Sequence, residues 1–143
     1  MHYTIQFANT DQEIAATFTA MHYLRPHLIE LQYIETIKRM QRHNHYELAY
    51  LFANGKVCAL SGFRIAESLA WGKFVYIDDL ITIEQFRSKG FGQALLNWVS
   101  DYAKQRDCHE LHLDSGVQRH GAHRFYLRER LDIACYHFRK ILI

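Results

Sequence analysis

The run Arg87-Ser88-Lys89-Gly90-Phe91-Gly92 holds residue types that bind an anion. Its two glycines let a backbone turn sharply and approach a ligand closely. An apolar stretch precedes it and an amphipathic one follows. The run therefore opens a helix whose first amides and positive dipole end face whatever sits there. A phosphate or pyrophosphate is the natural guest, with Arg87 and Lys89 adding countercharge. No Gly-Lys-Ser/Thr follows, which excludes a P-loop. Leu95 stands where the dinucleotide-binding fingerprint needs its third glycine. A plain strand-to-helix turn without a ligand would use the same residues.

Two aspartates, Asp78 and Asp79, interrupt the apolar stretch ahead of that run, and Asp114 closes a shorter one. Neighbours in a strand point to opposite faces, so Asp78 and Asp79 cannot both face one ligand unless a bulge re-aims one. The histidine pairs His43-Asn44-His45, His109-x-x-His112 and His120-x-x-His123 resemble metal-ligand spacings. His109 and His112 would straddle a strand, however, and His43 and His45 have no carboxylate or thiol near them in sequence, so no metal is expected. Cys58, Cys108 and Cys135 form no C-x-x-C pair and read as buried free thiols.

The elements that must position these residues follow from period and punctuation. Tyr3–Phe7 suits a first strand. Thr10-Asp11-Gln12-Glu13 is a capping box opening a helix with Ile14, Phe18 and Met21 at helical spacing. After Pro26, a second helix carries Leu28, Leu31, Ile34, Ile37 and Met40. Leu48–Ala53 and Lys56–Phe63 flank Asn54-Gly55, the signal of a tight hairpin. Lys73–Glu84 reads as a central strand, apolar on both faces. A long amphipathic helix then carries Phe91, Leu95, Trp98, Val99 and Tyr102. Glu110–Asp114 follows as a strand, Ala122–Arg130 as a short helix and Ile133–Ile143 as a last strand. This order predicts a mixed α/β fold of three layers, a central sheet of about six strands with helices on both faces. Residues 1–143 contain no linker or repeat and are expected to form a single domain.

On these residues the chain resembles the GNAT (GCN5-related N-acetyltransferase) superfamily. Leu80-Ile81-Thr82, Arg87-x-x-Gly90-x-Gly92 and Ala94-Leu95-Leu96 look like its acetyl-CoA-binding motif. Leu111-His112-Leu113-Asp114 with Ala122-His123-Arg124-Phe125-Tyr126 resembles its fifth strand and the helix ending in Phe-Tyr. The element order matches over nearly the whole chain.

The resemblance implies a role for each matching residue. The backbone of Leu80, Ile81 and Thr82 would pair with the pantetheine arm of acetyl-CoA, and an amide near Ile81 or Thr82 would stabilise the acetyl oxyanion. The amides of Ser88, Lys89, Gly90, Phe91, Gly92 and Gln93 would hold the pyrophosphate. Tyr126 would protonate the departing thiolate; packing in a core would equally explain an aromatic there. An amine acceptor is mostly protonated at pH 7 and must lose a proton, for which Asp79, Asp78 and Asp114 are the candidates. The loop Met21–His27 would border the acceptor pocket, where Arg25 could pair with an acceptor carboxylate. The family's asparagine is replaced by Gln118-Arg119-His120 and its Gly-Phe after the last helix by Arg130-Leu131-Asp132. A single closing strand would leave the acceptor site open or completed by a second subunit, as in a homodimer.

Composition agrees with a folded enzyme of this kind. The 143 residues are 49% apolar and 22% charged, enough for a substantial core. A formal net charge of +2 gives no reason to expect nucleic acid or a membrane surface as partner. Without a signal-peptide pattern or an apolar run of about 18 residues, the expected location is cytoplasmic. The expected activity is transfer of acetyl from acetyl-CoA to a primary amine on a small molecule or peptide, by direct attack. The competing expectation is a catalytically silent CoA-binding sensor or interaction module. Gly92→Asp, which sets a carboxylate against pyrophosphate, should abolish acetyl-CoA binding by calorimetry. Unchanged affinity would remove the loop from the cofactor site.

Overall fold

The computed structural model describes residues 2–143. The elements run β1 (Thr4–Phe7), α1 (Asp11–Leu24), α2 (Glu30–His43), β2 (Tyr46–Ala53), β3 (Lys56–Ser68), β4 (Gly72–Thr82), a 3-10 turn at Glu84–Phe86, α3 (Phe91–Lys104), β5 (Glu110–Leu113) and α4 (His120–Arg128). Two compact units result, one ending at His112 and one spanning Leu113–Ile143.

The sheet has the order β1-β2-β3-β4-β5, with β1 to β4 pairing antiparallel in sequence. The β2–β3 turn carries Asn54 at φ 53° and Gly55 at φ 74°, the two positive values that a type I′ hairpin requires. β5 takes its place beside β4 where the His109 N–H donates to the Lys73 carbonyl at 2.7 Å. Lys73 is the second residue of β4, so β5 can only run in the same direction and the sheet is mixed. Its four residues reach no further than the first half of β4.

Alternation along the strands sends side chains to two cores. On one face Leu48, Tyr50, Leu60 and Ile81 pack with Ile14, Ala20 and Met21 of α1 and Tyr33 and Ile37 of α2. On the other, Leu51, Ala53, Cys58 and Ala59 pack with Phe91 and Leu95 of α3. The expected helices on both faces of a mixed sheet are therefore present. The capping box also forms, with the Thr10 hydroxyl accepting from the Glu13 amide at 3.1 Å and Glu13 accepting from the Thr10 amide at 2.9 Å.

Three expectations are corrected. Among the described residues no strand forms at 133–143, so the sheet has five strands and not six; alternation alone does not make a strand where no neighbouring strand lies in register to pair with it. Leu31 does not belong to the apolar stripe of α2 but lies 97% exposed, the buried positions being Tyr33 and Ile37. Only Cys58 of the three thiols is buried; Cys108 is half-buried and Cys135 exposed. Among the described residues no helix is long and apolar enough to cross a membrane. Thr10→Ala should lower stability by ~1 kcal/mol, measured as a drop in the urea midpoint at unchanged slope.

Candidate functional site

The site grows from one irregularity in the β3–β4 ladder. Gly62 pairs with Asp79 and Phe63 with Ile77, so Asp78 is an extra residue with no partner across the ladder. This is a β-bulge. Along β3, Leu60, Gly62 and Arg64 share a face, and their partners Ile81, Asp79 and Tyr76 share it too. The bulge inserts Asp78 without reversing that alternation, so both aspartates serve the α1–α2 face.

Asp78 receives a two-pronged bond from Arg64, Nε to Oδ2 at 2.7 Å and a terminal nitrogen to Oδ1 at 2.9 Å. The guanidinium also lies 5.4 Å from the ring centre of Tyr76. The hydrogen bonds to Asp78 raise the Arg64 pKa above its ordinary value. Asp79 is more enclosed, its side chain 12% exposed. Its Oδ1 accepts from Arg25 Nε at 3.0 Å and its Oδ2 from the Tyr46 hydroxyl at 2.7 Å. Arg25 further donates to the Asp78 carbonyl at 2.8 Å, clasping both bulge residues. It reaches them because α1 stops at Leu24, and the loop before Pro26 starts at Arg25.

Tyr46 is almost wholly buried, and that burial, with Asp79 beside it, pushes its phenol well above the usual range. It therefore stays a hydrogen-bond donor to the carboxylate. Tyr33 behaves alike, pushed up to about 12 chiefly by burial. The Thr17 hydroxyl donates its one hydrogen to the Ile14 carbonyl at 2.7 Å, so Tyr33 must be the donor in its 2.8 Å bond to Thr17. Gly62 is required by this packing: a Cβ there would lie 1.7 Å from the Tyr46 hydroxyl oxygen and 2.6 Å from Asp79 Oδ2.

The anion run lies beyond the end of β4. Leu80, Ile81 and Thr82 pair with Ser61, Leu60 and Ala59 on the β3 side, and β5 stops short of them on the other. Arg87, Ser88, Lys89 and Gly90 are exposed. Gly90 caps α3 in the left-handed region at φ 81°, and it has no side chain with which to cap the first turn, so the amides of Phe91 and Gly92 at the helix start suit an anion. Phe91 is buried and anchors the turn, whereas Gly92 is half-buried and Gln93 exposed. Arg87 bends back, its Nε donating to the Thr82 carbonyl at 3.1 Å.

The remaining candidates belong to 113–143. Tyr126 is buried, and burial raises its pKa while Arg119 beside it pulls the other way. Asp114 is exposed and accepts from His137 Nδ1 at 3.1 Å. His123 Nε2 meets the Gly116 carbonyl at 2.8 Å, so that nitrogen carries its hydrogen. Among the described residues no group of three metal-ligating side chains occurs.

The structure thus brings Arg25, Asp78 and Asp79 together and adds Tyr46, Arg64 and Gly62, which no sequence pattern marked. Only cross-strand register reveals them. Arg25 and Asp78, expected to meet substrate, spend hydrogen bonds on partners within the chain.

Comparison with known proteins places these features. Residues 7–131 match the model of the acetyltransferase (GNAT) family. A Bacillus subtilis (strain 168) protein described as the uncharacterized N-acetyltransferase YhdJ is 35% identical over 130 residues, covering 90% of this chain and 92% of its own. The aminoalkylphosphonate N-acetyltransferase of Salmonella typhimurium is 30% identical over 99 residues, 68% of this chain and 63% of its own. In fold, the chain is similar to the aminoglycoside N-acetyltransferase AAC(6')-Iy in complex with CoA, with TM-score 0.82 at 14% identity, over 97% of this chain and 95% of that one.

Tyr46→Phe leaves Asp79 Oδ2 short of a donor and should cost roughly 1–3 kcal/mol, read by urea unfolding. Gly62→Ala, which drives a methyl against the same oxygen, should destabilise at least as much.

Proposed function

Because the chain belongs to the GNAT acetyltransferase family, we propose that this acetyltransferase moves the acetyl group of acetyl-CoA to a primary amine by direct attack. The observation that carries the reading is the junction after β4: an uncapped helix start, opened by a left-handed glycine, directly beyond a strand end that β5 does not cover. One ligand with both a pyrophosphate and an amide-bearing arm suits the two features together. Residues 1–143 would act as one acetyltransferase domain, the family match crossing both compact units.

Ser88–Gln93 would hold the pyrophosphate through backbone amides, with Lys89 and Arg87 nearby as countercharge. Leu80–Thr82 would offer backbone groups to the pantetheine arm, and an amide at Ile81 or Thr82 would meet the acetyl oxygen. Bound acetyl-CoA supplies an activated thioester carbonyl. Asp79 is the candidate to receive the amine's proton or hold its positive charge. Each of its oxygens already accepts one bond, which fixes the direction of the carboxylate. Asp78, matched by Arg64, contributes mainly by fixing the bulge, and its carbonyl holds Arg25. Asp114, paired with His137, is the second candidate base. Tyr126, its phenol held above the ordinary value of 10.0 by burial, stays protonated at neutral pH and can supply a proton to the leaving thiolate.

The family membership supports a primary amine on a small molecule or a peptide as the acceptor. No feature of the chain calls for nucleic acid, and cytoplasmic action suits the reaction, since acetyl-CoA is an intracellular currency.

The test is thiol release from acetyl-CoA with a panel of small amines, amino acids and peptide amines. Turnover with at least one amine supports the proposal; CoA binding without turnover on any would favour a silent binding module. Tyr126→Phe should lower kcat roughly 10²-fold or more with KM for acetyl-CoA little changed. An equal loss in both would assign the ring to packing. Because the raised phenol loses its proton only above pH 10, kcat should show no descending limb from this group below that pH.

A further inference from the structure

Arg119, at the start of α4, is drawn in toward Tyr126. Its guanidinium donates to the Tyr126 hydroxyl and is the charge that acts on that phenol. It is also half-buried, whereas Arg124 and Arg128 of α4 and Arg130 beyond it are exposed. A long charged side chain gives up rotamer freedom and hydration to be held this way.

The local backbone sets the pair up. Arg119 is the N-cap residue of α4. Its amide donates to the Gly116 carbonyl at 3.0 Å, and its carbonyl accepts from the His123 amide at 3.0 Å. His123 Nε2 closes on the same Gly116 carbonyl at 2.8 Å, so the loop before the helix is clasped from both ends. Tyr126 follows seven residues later, about two helical turns on, which returns it to the same side of the helix. Helical side chains lean toward the N-terminus, and that tilt carries the phenol back toward Arg119.

A guanidinium carries donors only, so this bond occupies a lone pair of the phenol oxygen and does not use its hydrogen. We propose that Arg119 is a positioning residue for acid catalysis by Tyr126: it fixes the phenol and stabilises the charge that the oxygen takes on when its hydrogen leaves. The inference rests on the reading of Tyr126 as the proton donor. As the acetyl carbon–sulfur bond breaks, its electron pair goes to sulfur, and the Tyr126 hydrogen goes there as a proton. The phenolate left behind recovers a proton from water.

Ordinary acidities show why the phenol needs such a partner. A thiol ionises near pH ~8.5 and a phenol near ~10, so passing a proton from phenol to thiolate runs uphill by roughly 30-fold. Burial of Tyr126 steepens that climb, and Arg119 opposes burial. A hydrogen bond from a cation strengthens as its acceptor gains charge. It therefore favours the proton-transferred state over the resting one, which is the condition for speeding the step. Phosphate binding, the other common use of an arginine at such a place, would not require contact with the phenol.

Fluorine NMR of protein grown with fluorotyrosine tests the pair without turnover, the Tyr126→Phe variant identifying the signal. Arg119→Gln should move the Tyr126 titration upward by about one pH unit or more; an unmoved titration overturns the proposal. In thiol-release assays the same variant should lower kcat roughly 3- to 10-fold, with KM for acetyl-CoA and its calorimetric Kd little changed. Arg119→Lys, which keeps the charge, should recover part of that loss. In the Tyr126→Phe background Arg119→Gln should cost little more, as for two residues that act as one unit. Arg128→Gln, at an exposed position of the same helix, should change none of these. A weakened Kd with kcat intact assigns Arg119 to a cofactor phosphate and overturns the proposal. Full kcat in Tyr126→Phe removes the proton-donor reading and this inference with it. A slow Tyr126→Phe beside an Arg119→Gln of normal kcat removes this inference alone.

Discussion

The extra residue that β4 carries opposite Gly62 and Phe63 is the constraint from which the site's geometry follows. A regular strand would turn Asp78 and Asp79 to opposite faces, one into the helices and one into the α3 core, where an unpaired carboxylate is very costly. The bulge removes that conflict by giving both to the α1–α2 face. There each charge finds a matching donor set: Arg64 for Asp78, Arg25 and Tyr46 for Asp79. Bulges bend a strand and strengthen its twist. β4 stays paired with β3 through Thr82 on the far side of the bulge, while the four residues of β5 leave the other side of Leu80–Thr82 unpaired by that strand.

Buried polar groups tie this bulge to the helices. Tyr46 rises from the start of β2 to Asp79, Gly62 leaves it room by having no side chain, and Tyr33 of α2 closes onto Thr17 of α1. The hydroxyl hydrogens of Tyr46, Tyr33 and Thr17 each have an acceptor, so these three buried groups are satisfied. Both phenols are held protonated by burial. The arrangement makes Asp79 a carboxylate of fixed orientation rather than a solvated side chain, which is what an acid–base or charge-holding role requires. Arg25 links the same carboxylate to the loop after α1, so any movement of that loop is felt directly at Asp79.

Much of the fold was legible along the chain because it is encoded locally. The capping box at Thr10 needs only residues three apart, the Asn54-Gly55 hairpin only two adjacent residues, and the Gly90 helix start only one residue able to take φ 81°. Periods of 3.6 and 2 located nine of the ten expected helices and strands. The exception, 133–143, has a strand's pattern without a strand's partner: alternation reports which residues could form a ladder, not whether another strand is at hand. Leu31 illustrates the complementary error, since an apolar residue at helical spacing still faces water when no surface packs over it.

The residues around the bulge divide along the same line. Sequence alone determined that two aspartates interrupt a buried strand, that a glycine-rich anion run follows it, and that this order resembles one acetyltransferase family. Those are statements about neighbours in the chain. Tertiary structure alone decided that Asp78 and Asp79 share a face, that Arg25 reaches them from 53 and 54 residues away, and that Tyr46, Gly62 and Arg64 belong with them. Those contacts depend on strand register: the extra residue puts Tyr76, Asp79 and Ile81 on one face, which simple alternation along the sequence would not do. No local spacing records that insertion, because it is a property of two strands together.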